Sequence, residues 1–321
     1  FKINRQNRIH IMANVRPLND VLQKVAIEKL NEIPERIPDD IEALRTWINQ
    51  QPYLNARTHD QCLLTFLRGC KFSLEKAKSK IDKYYTMRSK YPEMMTCYDV
   101  DDPKIREILR LGVFFYLPTP LNDSGPTIGI YRFGAYSPNQ HALLDVVRVA
   151  YMMQEILMLE NDYANIYGFI LILDLAKATA AHMFQLTPGL LKKAVVFFEE
   201  ALPLRQKENH FLNTFAAFEP VFNMGKSMLS QKQQNRLFVH GKKMDSLYEK
   251  IPQKYLPKEY GGDNGSIDEL IATWERKVDA HRDYLKENAN FVTNEELRPG
   301  KPIDFDSIFG TEGSFRKLNV D

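Results

Sequence analysis

The run GFILILDL, residues 168–175, constrains the fold more than any other feature of this sequence. Every residue from Phe169 to Leu173 is apolar, which is typical of a strand covered on both faces. Segments with helical spacing lie on both sides of this run. LLDVVRVAYMMQEILMLEN precedes it, and residues from about Pro188 to Leu202 follow it. A buried strand between helices predicts an α/β domain with a mostly parallel sheet.

Four other short segments are predicted strands of the same sheet. They are rich in β-branched and aromatic residues and are bounded by turn-forming residues; they read GVFFYLP, PTIGIYRFG, HFLNT and LFVHG. All four follow Asp102, whereas residues from Asp39 to about Met95 have helical periodicity. Within that helical part, residues of two kinds mark the helix boundaries: Thr58 and Ser73 as predicted caps, Gly69 and Pro92 as predicted ends.

These patterns divide the chain into four expected regions. They are an N-terminal extension (1–38), an all-helical domain (39–100), an α/β domain (101–275), and a C-terminal helix and tail (276–321). The last region begins inside the helical segment IDELIATWERKVDAHRDYLKEN and is expected to become irregular after Asn290. Met12 is the expected natural start, which would make residues 1–11 vector-derived.

The composition argues against several classes of protein. Lys and Arg number 43 against 41 Asp and Glu, so the net charge of +2 gives no global field for nucleic acid or a membrane. No apolar run approaches the roughly 18 residues that span a bilayer, so we expect a soluble or peripheral protein. Three cysteines without a Cys-x-x-Cys pair favour reduced thiols in the cytoplasm; they are Cys62, Cys70 and Cys97.

Catalytic motifs are missing. The sequence has no Gly-x-Ser-x-Gly elbow, no Gly-x-Gly-x-x-Gly loop, no Gly-x-x-x-x-Gly-Lys and no His-Glu-x-x-His. Asp174 ends the central strand, and we expect it to cap the following turn. His182, His210 and His240 are scattered, and each is expected to be structural. We therefore expect no catalytic residue, no metal site and no cofactor.

The stretch FAAFEPVFNMGKSMLSQKQQNR, residues 215–236, is apolar over about half of its circumference when projected as a helix. An ordinary surface helix needs an apolar stripe of only about 100°. The segment from Pro203 to Lys243 contains seven basic residues and only two acidic ones, Glu208 and Glu219. The pattern suits either contact with an anionic membrane or a solvated charged face beside a core helix.

Five blocks, in this order, resemble the CRAL-TRIO lipid-binding family and especially its alpha-tocopherol transfer protein branch: DQCLLTFLRGCKFSLEKAKSKIDKYYTMRSKYPE, GFILILDL, FQLTPGLLKKA, LPLRQKENHFLN and LPKEYGG. The match spans roughly residues 39–274, and EGSFRKL near the C-terminus resembles insect-type members more weakly. The resemblance implies an N-terminal helical domain and an α/β domain whose deep apolar pocket is closed by a lid helix. It also implies no enzymatic activity.

The resemblance assigns three sets of residues. The ligand-binding set is Tyr131, Ala150, Gln154, Phe169, Leu173, Ala194, Phe197, Phe215, Phe218 and Phe222. The phosphoinositide-binding set is Arg205, Lys207, Lys232 and Arg236. The lid residues implied to contact the membrane are Val221, Met224 and Met228. The family's Asn-Glu-Pro before the lid is NTF here, so Pro220 falls within the lid and is expected to kink it.

The function implied by the resemblance is cytoplasmic binding of a single hydrophobic ligand and its transfer between membranes. The ligand would be a tocopherol, a retinoid or another isoprenoid or lipid. The protein would act as a monomer, attach peripherally to phosphoinositide membranes and bind no nucleic acid. Two alternatives remain: a lipid-regulated scaffold for a protein partner, and an enzyme on a hydrophobic substrate. The enzyme would need a histidine–carboxylate pair facing the pocket.

Overall fold

The structure is a computed structural model that describes residues 13–96 and 99–305. The N-terminal part is helical, as predicted, and its helices are α1 (Asp20–Leu30), α2 (Ile37–Asn49), α3 (Asp60–Gly69), α4 (Leu74–Lys90), α5 (Pro92–Met95) and α6 (Pro103–Arg110). Helix α1 lies inside the expected extension, to which the sequence patterns assigned no structure. It buries Leu22, Ala26 and Leu30 against Ile166 of the later helix Asp162–Tyr167, in a small cluster separate from the main core.

The turn after α3 is shaped by a close approach between two parts of the chain. A Cβ on Gly69 would lie 1.8 Å from the carbonyl oxygen of Pro203, so only glycine fits there. Lys71 and Phe72 then adopt left-handed backbone conformations with φ of 53° and 56°. Helix α3 thus ends at Gly69, as predicted, directly against the segment that leads into the fourth strand.

The α/β domain is built on a five-stranded sheet with strands in sequence order. The strands are β1 (Phe114–Tyr116), β2 (Thr127–Arg132), β3 (Phe169–Asp174), β4 (Gln206–Leu212) and β5 (Leu237–Gly241). Only β1 and β2 pair antiparallel; the other three pairs are parallel. The mostly parallel sheet is therefore confirmed, and β3 is its central, buried strand.

Six helices connect the strands of this sheet, and in the described part of the chain three more come after its last strand. They are α7 (Leu143–Glu160), α8 (Asp162–Tyr167), α9 (Ala180–Phe184), α10 (Pro188–Val196), α11 (Phe218–Ser227), α12 (Gln231–Gln234), α13 (Met244–Tyr248), α14 (Ile267–Ala280) and α15 (Arg282–Glu287). Residues Phe197–Ala201 continue α10 as one π-helical turn. Among the described residues, no helix has both the length and the apolar character needed to cross a bilayer.

Three boundaries differ from the sequence-based expectations. Strand β4 begins at Gln206 and not at His210, because its first residues pair with β3. The amphipathic stretch does not form one helix over residues 215–236, because α11 ends at Ser227 and α12 is a separate short helix. The C-terminal helical segment is broken at His281, which separates α14 from α15.

One hydrophobic core joins the helical part to the α/β domain. A buried ion pair crosses this junction, since Nη2 of Arg88 in α4 lies 2.7 Å from Oε1 of Glu155 in α7. The hydroxyl of Tyr151 also donates to Glu155 at 2.6 Å. Removing one partner of such a pair typically costs about 3–5 kcal/mol, so loss of either Arg88 or Glu155 should destabilise this junction.

Candidate functional site

A large cavity of about 330 Å³ lies between the sheet, α7, α10 and α11. Strand periodicity explains its floor, because residues two apart in a strand face the same side. Leu171 and Leu173 of β3 and Phe211 of β4 point into it. Met94 and Met95 of α5 also line it, so the helical N-terminal part closes one end. No local pattern in the sequence marks these two methionines as lining residues.

Eight of the ten residues expected to bind ligand line this cavity. They are Tyr131, Ala150, Gln154, Leu173, Ala194, Phe197, Phe218 and Phe222. Phe169 does not line it; its fully buried ring lies 6.4 Å from the rings of Tyr116 and Phe198, which do line the cavity. Phe215 precedes α11 and packs, half-buried, against the core.

Helix α11 covers the cavity as the expected lid would. The rings of Phe218 and Phe222 lie 5.4 and 5.1 Å from that of Phe211 in the floor. Val221 also lines the cavity, so its expected place on the outer, membrane-facing arc is wrong. The reason is spacing, since residues 218, 221, 222 and 225 share one helix face. Met224 and Met228 are half-buried and do not line the cavity.

Pro220 does not kink the lid. It is the third residue of α11, where a backbone N–H would have no partner within the helix. Its ring therefore replaces a donor that the helix does not use, and the predicted kink is absent. The expected kink placed Pro220 inside a longer helix, whereas the chain enters α11 only at Phe218.

Helix α9 packs beside the lid and presents one exposed aromatic ring. Phe184, the last residue of α9, has 83% of its surface exposed, the highest exposure among the large apolar side chains of the described part. Its exposure could not be predicted from the sequence, because an apolar residue in the block FQLTPGLLKKA is not in itself unusual.

The four basic residues expected to bind phosphoinositides lie together beside the C-terminal end of the lid. Arg205 is held by backbone carbonyls, and its Nη1 donates to the carbonyl of Arg68 at 2.6 Å. Arg236 Nη1 donates to the carbonyl of Gln206 at 2.6 Å. Lys207 lies between them, half-buried, and Lys232 is exposed. Strands β4 and β5 begin at the same edge of the sheet, which brings these residues together.

The charge of this cluster is not compensated. Burial, together with Arg205, Arg236, Lys71 and Lys232, lowers the pKa of the Lys207 ammonium to about 8. Lys71, in the turn after α3, is thus a fifth member, which sequence reasoning missed because it lies far away in the chain. We call these five residues the basic patch. Within the described chain, no carboxylate lies within ion-pair distance of any of them.

The other titratable groups singled out from the sequence have structural partners. Asp174 accepts hydrogen bonds from the backbone N–H of Ala176 at 2.9 Å and from the Tyr260 hydroxyl at 2.6 Å. His182 Nδ1 accepts from the backbone N–H of Thr179 at 3.0 Å. Asp174 thus fixes the turn after β3, and His182 caps α9.

His210 and His240 form a hydrogen bond with each other. His210 Nδ1 and His240 Nε2 are 2.9 Å apart, and His210 Nε2 lies 3.0 Å from Glu208 Oε2. Burial and the neighbouring His240 lower the pKa of His210 to about 3, so its contact with Glu208 is a hydrogen bond and not an ion pair. This histidine–carboxylate pair does not line the cavity.

The described cysteines are reduced and buried or half-buried. Cys62 and Cys70 are free thiols, and burial raises the pKa of Cys62 to about 11. Cys97, the first eleven residues, Met12 and the EGSFRKL segment lie outside the described residues. In residues 13–96 and 99–305, no group of three or more histidine, cysteine or acidic side chains is arranged to hold a metal ion.

Comparison with known proteins agrees with this geometry. Residues 33–105 match the family model "Pinta-like, UBA domain", and residues 112–262 match the "CRAL/TRIO domain". Clavesin-1 of Rattus norvegicus is 30% identical over 283 residues, which cover 87% of this chain and 77% of that protein. The alpha-tocopherol transfer protein-like protein of Mus musculus is 28% identical over 272 residues, covering 84% and 78% respectively. Together, these matches show that the chain belongs to the CRAL-TRIO family.

Proposed function

We propose that the protein binds one hydrophobic lipid in the cavity beneath α11 and transfers it between membranes. The observation that carries this proposal is the cavity itself, whose volume of about 330 Å³ is lined almost entirely by apolar side chains. Ligand sites typically enclose about 300–1,000 Å³ of mostly apolar space. Void space left in a core destabilises a protein by about 24 cal/mol per Å³, so a cavity this large favours a resident ligand.

The relatives support the choice of ligand class. One of them is named alpha-tocopherol transfer protein-like, which points to a tocopherol as a candidate. A retinoid or another isoprenoid has the same overall character, a large apolar body with one small polar group. The proposed ligand is therefore a lipid of this general type.

We further propose that the protein delivers its ligand at anionic, phosphoinositide-containing membranes. The support is the basic patch, since each basic residue near such a surface contributes about 1 kcal/mol to binding. Phe184 lies beside the lid and is 83% exposed, which suits insertion between lipid headgroups. Contact would be peripheral and from the cytoplasmic side, and it would bring the lid against the bilayer.

Native mass spectrometry of the purified protein tests the central proposal. We expect the mass of one chain plus one lipid, and organic extraction of the same sample identifies that lipid. A chain mass with nothing bound, together with no uptake of lipid from liposomes by the delipidated protein, would contradict the proposal. A constant mass of two chains would contradict the expected monomer.

A further inference from the structure

Two polar atoms face the cavity without any partner among the described residues. They are Nε2 of Gln154 on α7 and Oη of Tyr131 on β2, and both are buried. Gln154 as a whole is only 4% exposed. A buried polar group that lacks a hydrogen bond costs about 1–3 kcal/mol. Native structures rarely leave buried polar atoms without a partner unless something else binds them.

The orientation of the Gln154 amide follows from its neighbour. The hydroxyl of Tyr116 donates to Gln154 Oε1. If the amide were turned round, both the Tyr116 proton and Oε1 would lack a partner, so the observed orientation leaves fewer groups unpaired. The free atom is therefore the Nε2 donor, with its hydrogens directed at the cavity.

The two free donors adjoin one continuous aromatic wall. Phe114 pairs with Tyr131 across β1 and β2, and their rings are 5.8 Å apart. The ring of Tyr116, which holds Gln154, lies 4.8 Å from that of Phe114. A ligand that packs against these rings could therefore accept hydrogen bonds from the two free donors.

No positive charge accompanies these donors. The ionic side chains of the described lining are Glu199 and Lys226, and they belong to the π-helical turn and to the lid. Burial raises the pKa of the Tyr131 hydroxyl well above its ordinary value, so it remains a neutral donor. A carboxylate placed beside Gln154 and Tyr131 would lose its hydration without gaining an ion pair, which is strongly unfavourable.

We propose that the ligand is an uncharged lipid whose alcohol or carbonyl oxygen lies against Gln154 and Tyr131, with its hydrocarbon part directed towards the lid. This inference rests on the proposed function and adds to it the chemistry and the orientation of the ligand. A pure hydrocarbon would leave both donors unpaired. A fatty acid would bring a charge that this end of the cavity does not neutralise.

Four radiolabelled ligands of similar length test the inference, and their retention by the delipidated full chain is measured by gel filtration. The ligands are hexadecanol, methyl palmitate, palmitate and hexadecane. We expect hexadecanol and methyl palmitate to bind at least tenfold more tightly than hexadecane and palmitate, since each hydrogen bond contributes roughly a fivefold to tenfold change in affinity.

The variant Tyr131→Phe removes a hydroxyl that has no partner in the protein, so the fold should be unaffected. We expect it to reduce the preference for hexadecanol over hexadecane about fivefold. Tyr136→Phe is the matched control, because its hydroxyl bonds Gln185 outside the cavity and its loss should leave the preference unchanged. The double variant Tyr116→Phe with Gln154→Leu removes both partners of one hydrogen bond and should abolish the remaining preference.

The outcomes separate this inference from the proposed function. If hexadecane binds as tightly as hexadecanol, the cavity holds lipids but the two donors bind only water, and the inference is overturned. Tighter binding of palmitate, or a preference that survives both variants, overturns it as well. If none of the four ligands binds, and none is taken up from liposomes, the proposed function fails together with the inference.

Discussion

Glu199 Oε1 accepts a hydrogen bond from the backbone N–H of Ser230 at 3.2 Å, and this contact joins the π-helical turn to the segment that follows the lid. Glu199 lines the cavity, and so does Leu229, the residue before Ser230 in the chain. Displacement of the C-terminal end of α11 from the cavity would break this bond. We call it the latch.

Removing the latch should speed ligand transfer. Hydrogen bonds to charged groups contribute about 1.5–3 kcal/mol, and solvent exposure reduces this value, so Glu199→Ala should raise the transfer rate between liposomes roughly threefold to tenfold. Glu199→Gln is the matched control, because its amide oxygen still accepts from Ser230 and the rate should stay close to that of the wild type. An unchanged rate in Glu199→Ala would show that the latch does not limit opening.

Filling the cavity should abolish ligand binding. Ala194 lines the cavity, and Ala194→Trp places an indole where open space exists, so it should avoid most of the 1–3 kcal/mol that overpacking costs in a filled core. The expected result is no lipid in native mass spectrometry and a melting temperature close to that of the delipidated wild type. Ala280→Trp, at the exposed end of α14, is the control and should retain its ligand. Full binding by Ala194→Trp would place the ligand elsewhere.

Reversing two charges of the basic patch should weaken membrane binding while leaving ligand binding intact. Lys71 and Lys232 are exposed, and no ion pair holds either of them in the described structure. At about 1 kcal/mol per charge near an anionic surface, Lys71→Glu with Lys232→Glu should lower affinity for phosphoinositide liposomes at least 30-fold in sedimentation at low salt.

The control for this variant changes the net charge equally outside the patch. Lys242→Glu with Lys243→Glu alters two exposed lysines that follow β5. It should reduce binding no more than about threefold, since exposed charges are screened beyond a Debye length of about 8–10 Å. Equal loss in both double variants would mean that net charge, and not this patch, governs binding.

The depressed pKa of Lys207 predicts a pH dependence. Its pKa of about 8 lies below the ordinary 10.5, so between these values the unfolded chain binds more protons and stability rises with pH. Membrane affinity moves the other way, because Lys207 loses its charge as pH rises through about 8. Liposome binding should therefore fall between pH 7 and 9 while the melting temperature does not. In Lys207→Arg the fall should disappear; if it persists, another group titrates.

Sequence patterns predicted the architecture because strong local signals coincide with it. The apolar run from Phe169 to Leu173 is typical of a buried strand, and it forms one. Helix α3 ends at Gly69, and α4 ends two residues before Pro92. What failed depends on tertiary contacts. Phe169 lies on the same side of β3 as Leu171, but its ring packs beside those of Tyr116 and Phe198 and does not line the cavity.

The same limit explains the errors in the site. Lys71 joins Lys207 only because Gly69 lets α3 approach Pro203 closely, and no spacing along the chain reveals that approach. Val221 was expected on the outer arc of the lid, but it lies three residues after Phe218 and therefore shares the cavity-facing side of α11. Which part of a wide apolar arc faces the cavity depends on how the helix packs against the sheet, and the sequence does not show that packing.

The two faces of the lid should respond differently to the same substitution. Val221 lines the cavity, whereas Met224 does not. Val221→Asp would place a carboxylate in an apolar space, which is unfavourable without a partner, so lipid binding in solution should be lost. Met224→Asp leaves the cavity wall unchanged, and binding in solution should persist.

Transfer to liposomes separates the roles of the two residues. If the outer face of α11 enters the bilayer when the lid opens, Met224→Asp should slow transfer at least tenfold, because a charge replaces apolar area that membrane contact would remove from water. Met224→Gln is the uncharged control and should slow transfer less. Melting curves of all three variants show whether folding is intact. Transfer by Met224→Asp at the wild-type rate would mean that this face never contacts lipid, and the lid would then have to open without entering the membrane.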